Sequence, residues 1–149
     1  MKKILYFMFL AVLSASFIAC SSDDDDDNKG GEKGKVKLTA TFTYTHNNET
    51  KPSAATEMFI FKIDNNESTA DWTYNKTNNY YERKDKTVIY PAYSFKADNN
   101  GKIEQSIDDN NSYQYVYEAA IDPDVWGADN FKTNGQPIVI NKNHGLTNQ

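Results

Sequence analysis

The chain has 149 residues, a formal net charge of −5 and a single cysteine. One cysteine excludes an intrachain disulfide and a thiolate metal cluster, so any folded domain must be held together by packing alone. The sequence contains no basic stripe that could follow a phosphate backbone, which argues against nucleic acid as a partner.

The first predicted element is a secretory signal peptide over residues 1–19. Lys2 and Lys3 form a basic start, and an apolar segment follows from Ile4 to Ile18. This is the layout of an export signal that is removed from the mature protein. A helix of this length would rise only about 22 Å, against about 30 Å of bilayer hydrocarbon, so the segment is too short for a permanent membrane span.

Cys20 follows this segment directly and is preceded by Phe17-Ile18-Ala19. These four residues resemble the bacterial lipobox, in which an apolar residue and small residues precede a cysteine; leucine is the usual first member, and this chain has Phe17 there. The resemblance implies that Cys20 is lipidated. Lipidation with two or more acyl chains would anchor the mature protein stably to a membrane. The alternative is a secreted protein that is cut near Ala19 and keeps Cys20 as a free thiol.

A serine and aspartate stretch comes next, and it consists of Ser21, Ser22, Asp23, Asp24, Asp25, Asp26 and Asp27. It resembles the acidic export signal of surface lipoproteins in the Bacteroidetes group. The resemblance implies display on the outer face of the outer membrane, with a periplasm-facing lipoprotein as the alternative. Residues 23–35 contain no apolar side chain, so we expect residues 20–35 to form a disordered, self-repelling linker.

Residues 36–149 form the one predicted domain, and their apolar and polar residues alternate with the period of strands. The predicted strands lie at Val36–Tyr44, Met58–Ile63, Thr87–Tyr90, Tyr93–Ala97, Lys102–Ile107, Tyr113–Ala119 and Ile138–Ile140, with a further short one at Thr69–Tyr74. The near-continuous apolar run at Met58–Ile63, interrupted only by Lys62, predicts a strand that is buried on both faces. The alternating Tyr113, Tyr115 and Tyr117 are expected in the core. No window shows a helical face, so we predict an all-β fold: a single antiparallel β-sandwich of about seven strands.

One part of this domain resembles a known family. Tyr93–Ile103 runs through the turn Asp98-Asn99-Asn100-Gly101, and Ser112–Tyr117 follows soon after. This order resembles the transthyretin-like or carboxypeptidase-regulatory-like β-sandwich, in which an Asp/Asn-Gly-Lys turn joins two strands and a Tyr-x-Val strand follows. The resemblance implies an Ig-like or transthyretin-like topology. Ala54-Ala55 stands where that family has a Gly-Ala step.

The sequence offers few catalytic or metal-binding candidates. His46 and His144 lie in polar stretches, where we expect surface histidines, and neither HExxH nor GxSxG is present. The group Asp122-Pro123-Asp124 is typical of a turn, and Asp108-Asp109 lies in a predicted loop. We therefore predict no catalytic residue, no metal site, no cofactor and no enzymatic activity.

Aromatic residues in predicted loops are the remaining candidates for ligand contact. The polar connection Asp64–Lys86 is long for a loop without a function, and a second predicted loop spans Asp122–Lys132. Aromatic rings can stack on sugars or anchor a protein partner. The candidate contact residues are Trp72, Tyr80, Tyr81 and Trp126.

These observations predict a lipid-anchored protein of the outer-membrane surface that acts as a non-enzymatic binding or accessory module for a glycan or a protein. One alternative is a structural component of a surface filament or envelope complex, which predicts a long unpaired edge strand. Another is a glycan hydrolase, which predicts a cleft with two converging carboxylates, at least one with a raised pKa.

Overall fold

The computed structural model describes residues 33–64 and 67–145. The predicted signal peptide, Cys20, the acidic export signal and all but the end of the predicted linker lie outside the described residues. The described part of the chain is all-β and contains no helix. Its strands are β1 Lys35–His46, β2 Glu49–Pro52, β3 Glu57–Ile63, β4 Thr73–Asn75, β5 Tyr80–Glu82, β6 Val88–Ile89, β7 Tyr93–Lys96, β8 Lys102–Asp108, β9 Ser112–Glu118, β10 Trp126–Lys132 and β11 Ile138–Gly145.

The first sheet is built around the long strand β1. On one side β11 pairs with it in parallel, so that Leu38 lies opposite Ile138. On the other side β8 pairs with the first half of β1 and β2 with its last residues, both antiparallel. The β1–β2 hairpin turns at Asn47 and Asn48, whose φ angles are 50° and 63°. Two consecutive positive φ angles are the geometry of a tight hairpin turn, which asparagine tolerates.

The second sheet has the antiparallel order β10-β9-β3-β7, and it shares a core with the first. Alternate residues of β1, including Leu38 and Phe42, meet Ile60 of β3 in this core, while the intervening threonines face outwards. Tyr113 and Tyr115 are buried there and Tyr117 packs against them, so the prediction that these tyrosines belong to the core is confirmed.

A third, small sheet of order β4-β5-β6 covers the other face of the second sheet. Phe61 of β3 and Val116 of β9 project to that face, and Tyr81 of β5 is buried against them together with the partly buried Trp72. The prediction that β3 is buried on both faces is therefore confirmed. One of its faces packs in the core between the first two sheets, and the other packs in the core beneath the third sheet.

Several predicted loops are in fact strands, so the described chain has eleven strands where about seven were expected. The connection Asp64–Lys86 contains β4 and β5, and Asp122–Lys132 contains β10. Glycine, aspartate and asparagine in β10 lower its strand propensity, but the strand pairs with β9 along its whole length. Pairing with a formed neighbour outweighs weak intrinsic preference.

Candidate functional site

The third sheet brings together most of the aromatic residues of its region. In the β4–β5 hairpin Tyr74 lies opposite Tyr81, and Tyr81 lies opposite Ile89 of β6. Because residues opposite each other share a face, these three project towards the second sheet. Their neighbours Asn75 and Tyr80, also opposite each other, project outwards.

Two tyrosines fix this sheet to the layer below. The Tyr74 hydroxyl lies 2.9 Å from Glu118 Oε1 of β9, and the Tyr81 hydroxyl accepts a hydrogen bond of 3.1 Å from Gln114 Nε2. Burial, followed by the Glu118 carboxylate, raises the pKa of Tyr74 far above its usual range. Burial also raises the pKa of Tyr81 to about 12. Both hydroxyls therefore stay protonated and serve as hydrogen-bonding groups, with no role in proton transfer near neutral pH.

Trp72 belongs to a clamp at the edge of the same sheet. Its Nε1 donates to Glu67 Oε1 at 3.3 Å, and the Arg83 guanidinium lies 5.4 Å from its ring centroid. Arg83 also pairs with the second oxygen of Glu67 at 2.5 Å. The ring is thus held between the buried Tyr81 and a cation, which is a structural environment.

The outward face of the third sheet carries two aromatic rings, Tyr80 and Tyr90. Their centroids are 6.0 Å apart with an interplanar angle of 68°, and Tyr90 is 70% exposed. Asn75 Nδ2 donates to the Tyr80 hydroxyl at 3.0 Å, which fixes that ring. We call Asn75, Tyr80, Val88 and Tyr90 the outer aromatic face; it combines the exposed Tyr90 ring and the half-buried Tyr80 ring with amide and hydroxyl groups.

Trp126 provides a further exposed ring at the first residue of β10. It is 51% exposed, and its centroid lies 6.2 Å from that of Tyr74 at the edge of the third sheet. The Lys76 ammonium contacts the carbonyl oxygen of Pro123 and ties the β4–β5 turn to the loop before Trp126. Trp126 is therefore a supported ring at the junction of two sheets.

The four residues predicted as ligand contacts separate into two groups. Tyr81 is buried and Trp72 is half-buried under Arg83, so both stabilise the third sheet and neither presents a free ring face. Tyr80 and Trp126 reach solvent in different places, on the outer aromatic face and at the start of β10. Tyr90 was missed as a contact candidate, because its outward side follows from the pairing of Ile89 with Tyr81 and not from the local sequence.

The histidines differ from expectation. His46 is exposed as predicted, but the prediction of a surface position for His144 is wrong: it is only 3% exposed. Its ring lies between Phe42 and Tyr117, with centroids 6.2 Å and 5.3 Å away, and burial lowers its pKa. No group of three or more histidine, cysteine, aspartate or glutamate side chains that could hold a metal occurs among the described residues.

The acidic residues that were considered for catalysis have structural contacts. Asp122 Oδ1 accepts from the Asp124 amide at 3.0 Å, and the Asp122 carbonyl accepts from the Val125 amide, so the prediction of a turn is confirmed. The pKa of Asp108 is lowered by its hydrogen bond and ion pair with Lys35. Wherever the pKa of a carboxyl group in the described residues shifts clearly, it is lowered, which is the opposite of the shift that a general acid needs.

A shallow cavity of about 410 Å³ opens at the far end of β10 from Trp126. The residues that line it are Ile63, Glu67, Ser112, Tyr113, Asn130, Phe131 and Lys132, a mixture of apolar, polar and charged side chains. None of the predicted contact residues lines it.

Comparisons with known proteins give little guidance. No family model and no curated protein matches the chain. Among solved structures, the chain is similar to a 9R-lipoxygenase from Cyanothece PCC8801, at 11% identity and a TM-score of 0.40, over 83% of this chain. The similar part spans only 18% of the lipoxygenase chain, and a TM-score this low carries no argument about fold or activity. No helix of the described residues is long and apolar enough to cross a membrane.

Proposed function

We propose that this chain is a lipid-anchored protein of the outer-membrane surface that acts as a non-enzymatic binding module and takes a glycan on its exposed aromatic residues. Cys20 is its anchor, and the serine and aspartate stretch from Ser21 to Asp27 is its export signal. Tyr80, Tyr90 and Trp126 are its contact residues. A protein partner held by the same rings is the alternative within this function.

The observation that carries the proposal is the exposure of aromatic rings that their neighbours hold in place. Tyr90 is 70% exposed and Trp126 51% exposed, yet each has a second aromatic ring within about 6 Å. Fixed rings lose little conformational entropy on binding, and they offer a flat apolar surface beside polar groups. Asn75 and the Tyr80 hydroxyl supply hydrogen-bonding groups next to the Tyr90 ring.

A glycan array with the full chain, purified in detergent, tests this function. We expect binding to one group of glycans, reduced about fivefold or more in Tyr90→Ala or Trp126→Ala, if a sugar ring stacks as well as a nucleobase, for which stacking on an aromatic ring is worth about 1–3 kcal/mol. Val139→Ala is the matched control, since Val139 is 66% exposed on the first sheet, away from these rings. Binding to no glycan at all would contradict the glycan proposal.

The surface location has its own test. In the native host, protease added to intact cells should remove the chain, and Cys20→Ser should release it from the membrane fraction. A chain that is cleaved only after lysis would place the protein on the periplasmic side.

We also propose that the two sheets around the larger core form a sandwich of the transthyretin-like class. The support is local: β7 passes through the turn Asp98–Gly101 into β8, and β9 carries the tyrosine-rich segment Tyr113–Tyr117. An experimental structure with a different strand order would contradict this assignment.

The structural-component alternative is favoured by one observation. β11 ends its sheet, so this strand of eight residues has no described partner on its outer side, and Val139 on it is exposed. An edge of this length can accept a strand from another chain. Chemical crosslinking on cells distinguishes the two functions: ladders of this chain that disappear in Val139→Lys would favour the structural role.

A further inference from the structure

One face of β10 forms a continuous exposed strip. Alternate residues of a strand share a face, so Trp126, Ala128, Asn130 and Lys132 lie in one row, which we call the β10 strip. Six residue steps span about 20 Å. The third sheet stands beside the strip at its Trp126 end, where Tyr74 lies 6.2 Å from the Trp126 ring. The side chain of Ala128 is small, so the surface of the strip is recessed next to the larger Trp126 ring.

The strip ends in the 410 Å³ cavity, where the residue types change. Asn130, whose side chain carries an amide, and Lys132, whose side chain carries an ammonium group, line it together with the apolar residues Phe131 and Ile63. An amide beside an apolar wall suits a sugar, which presents hydroxyl groups around its rim and C–H groups on its ring face.

Charge distinguishes this cavity from the outer aromatic face. Its two charged lining residues are Glu67 and Lys132. Both oxygens of Glu67 are engaged, one by Arg83 at 2.5 Å and the other by Trp72 Nε1 at 3.3 Å. Lys132 has no ion pair or side-chain hydrogen bond within residues 33–64 and 67–145. Within that part of the chain, the cavity therefore presents one free cation beside a neutralised carboxylate.

We propose that the β10 strip binds an acidic oligosaccharide whose sugar ring stacks on Trp126 at one end and whose carboxylate pairs with Lys132 at the other. This rests on the proposed glycan-binding function and names its ligand class, a uronic or similar carboxylated sugar chain. Because Lys132 is a cation without an ion pair in the described residues, we expect the ligand to be anionic. The separation of Trp126 and Lys132 requires a chain of several sugars. A single sugar cannot reach both residues.

Titration calorimetry with the full chain in detergent tests the inference with two matched ligands. One is an oligogalacturonide, and the other is the same oligosaccharide with its carboxyl groups reduced to alcohols. We expect the acidic form to bind about tenfold more tightly, because a charge-assisted hydrogen bond is roughly twice as strong as a neutral one. Added salt should reduce the difference in affinity between the two ligands, since Lys132 is open to solvent and its charge is screened by ions.

Variants assign the effect to the two ends of the strip. Lys132→Gln should abolish the preference for the acidic form and leave binding of the reduced form unchanged. Trp126→Ala should weaken both forms equally. Lys51→Gln removes the same charge from β2 in the other sheet and should change neither. Equal melting temperatures of the variants would show that each is folded.

The outcomes separate this inference from the function on which it rests. Equal affinity for the acidic and reduced forms, or a preference that survives Lys132→Gln, overturns the inference. In that case binding of neutral glycans that depends on Tyr90 or Trp126 would leave the proposed function in place. If the array shows no glycan binding of any kind, the proposed function fails, and the inference fails with it.

Discussion

Gly101 lies where the chain passes from β7 in the second sheet to β8 in the first. Its φ angle is 71°, and a Cβ atom built there would overlap the carbonyl oxygen of Phe42. That oxygen accepts a hydrogen bond from the Ser53 amide, and the Gly101 carbonyl accepts one from the Phe42 amide. The turn therefore requires glycine for its backbone angle and also for the close approach of β1.

We expect Gly101→Ala to destabilise the domain by about 3 kcal/mol or more, because a left-handed alanine costs about 1–2 kcal/mol before any clash is counted. Gly135→Ala is the matched control. Gly135 has a φ angle of 82°, but the nearest atom to its Cβ position is 3.9 Å away. Urea denaturation measures both variants, and equal losses of stability would contradict the role given to the Phe42 contact.

His144 makes the stability of the domain depend on pH. Its Nε2 atom is buried and has no hydrogen-bond partner in the described part of the chain, and burial lowers its pKa. In the unfolded chain the imidazole titrates near its ordinary pKa of about 6.5. Below that pH the unfolded state binds more protons than the folded state, so the free energy of unfolding falls as the pH drops through this value.

The test compares the wild type with His144→Phe, whose ring suits the contacts with Phe42 and Tyr117. Between about pH 7.5 and about pH 5.5 the wild type should lose more stability than the variant, since His144 takes up a proton in the unfolded state and phenylalanine cannot. His46→Gln, changed at an exposed histidine, should keep the wild-type dependence. Equal pH slopes for the wild type and His144→Phe would contradict this account.

Gly101 and His144 show which features could be predicted from the local sequence and which could not. The turn at Asp98–Gly101 was predicted because its chemistry is local: Asp98 Oδ1 accepts from the amides of Asn100 and Lys102, and glycine follows. The burial of His144 depends on Phe42 and Tyr117, which are distant in sequence. Its neighbours Asn143 and Gly145 are polar or small, so the local sequence carries no sign of a core position.

At the scale of elements, the third sheet depends on one buried ring. Tyr81 packs edge-on against Phe61 at 4.8 Å between centroids, and also contacts Trp72 and Tyr74. The three strands of this sheet have only two or three residues each, which is too few to be stable without the layer beneath. We therefore expect the burial of Tyr81 to contribute more to the stability of this sheet than its other contacts with the layer beneath.

We expect Tyr81→Ala to cost about 3–5 kcal/mol and to release β4–β6 from the body, because a large buried ring leaves a cavity. Tyr81→Phe removes only the hydrogen bond from Gln114 and should cost about 1 kcal/mol. Limited proteolysis should cut Tyr81→Ala within residues 67–90 and leave Tyr81→Phe intact. If the two variants resist protease equally, the ring does not hold the sheet.

Strands of this kind were hard to predict from sequence. β3 shows a strong apolar run, and β1 alternates regularly, so both were predicted close to their observed bounds. β4 and β5 combine tyrosines with asparagine and glutamate. Their inward-facing tyrosines are buried only because they pack against the second sheet, which the local sequence does not show. The same holds for the outer aromatic face, since the side of Tyr90 depends on the pairing of β5 with β6.

For the whole molecule, the parallel pairing of β1 with β11 is the feature that sequence could not reveal. It joins Leu38 to Ile138, 100 residues later, so forming this pair closes a loop that contains most of the domain. Neither strand carries a local signal for its partner. Contacts of such long sequence separation also slow folding, typically to milliseconds or longer.

The side of the molecule where β10 and β11 lie next to each other is closed by an ion pair. Lys142 of β11 and Asp129 of β10 both lie on core-facing positions of edge strands, and their charged groups are 3.2 Å apart. The Lys142 ammonium also lies 5.8 Å from the Tyr115 ring centroid. Inward-pointing charges on edge strands are a known protection against pairing with other chains.

We expect Lys142→Val to associate at high concentration. The change removes the inward-pointing charge and extends the apolar row of Ile138 and Ile140 by one β-branched residue along the edge strand β11. The wild type should remain monomeric under the same conditions, and Lys51→Val on the short strand β2 is the control. Analytical ultracentrifugation gives the result. A wild type that already associates through β11 would instead support the structural-component alternative.

The direction of β1 decides how the molecule would carry mechanical load. The chain from the proposed anchor enters at Lys35, beside Asp108 and near the Lys132 end of β10, whereas Trp126 lies at the opposite end, near Tyr117 and His144. Tension between the membrane and a ligand stacked on Trp126 would thus run along the strands. The backbone hydrogen bonds on both sides of β1 lie across that direction and would be sheared together instead of opening one by one. A chain anchored and loaded in this way would resist tension through its longest strand.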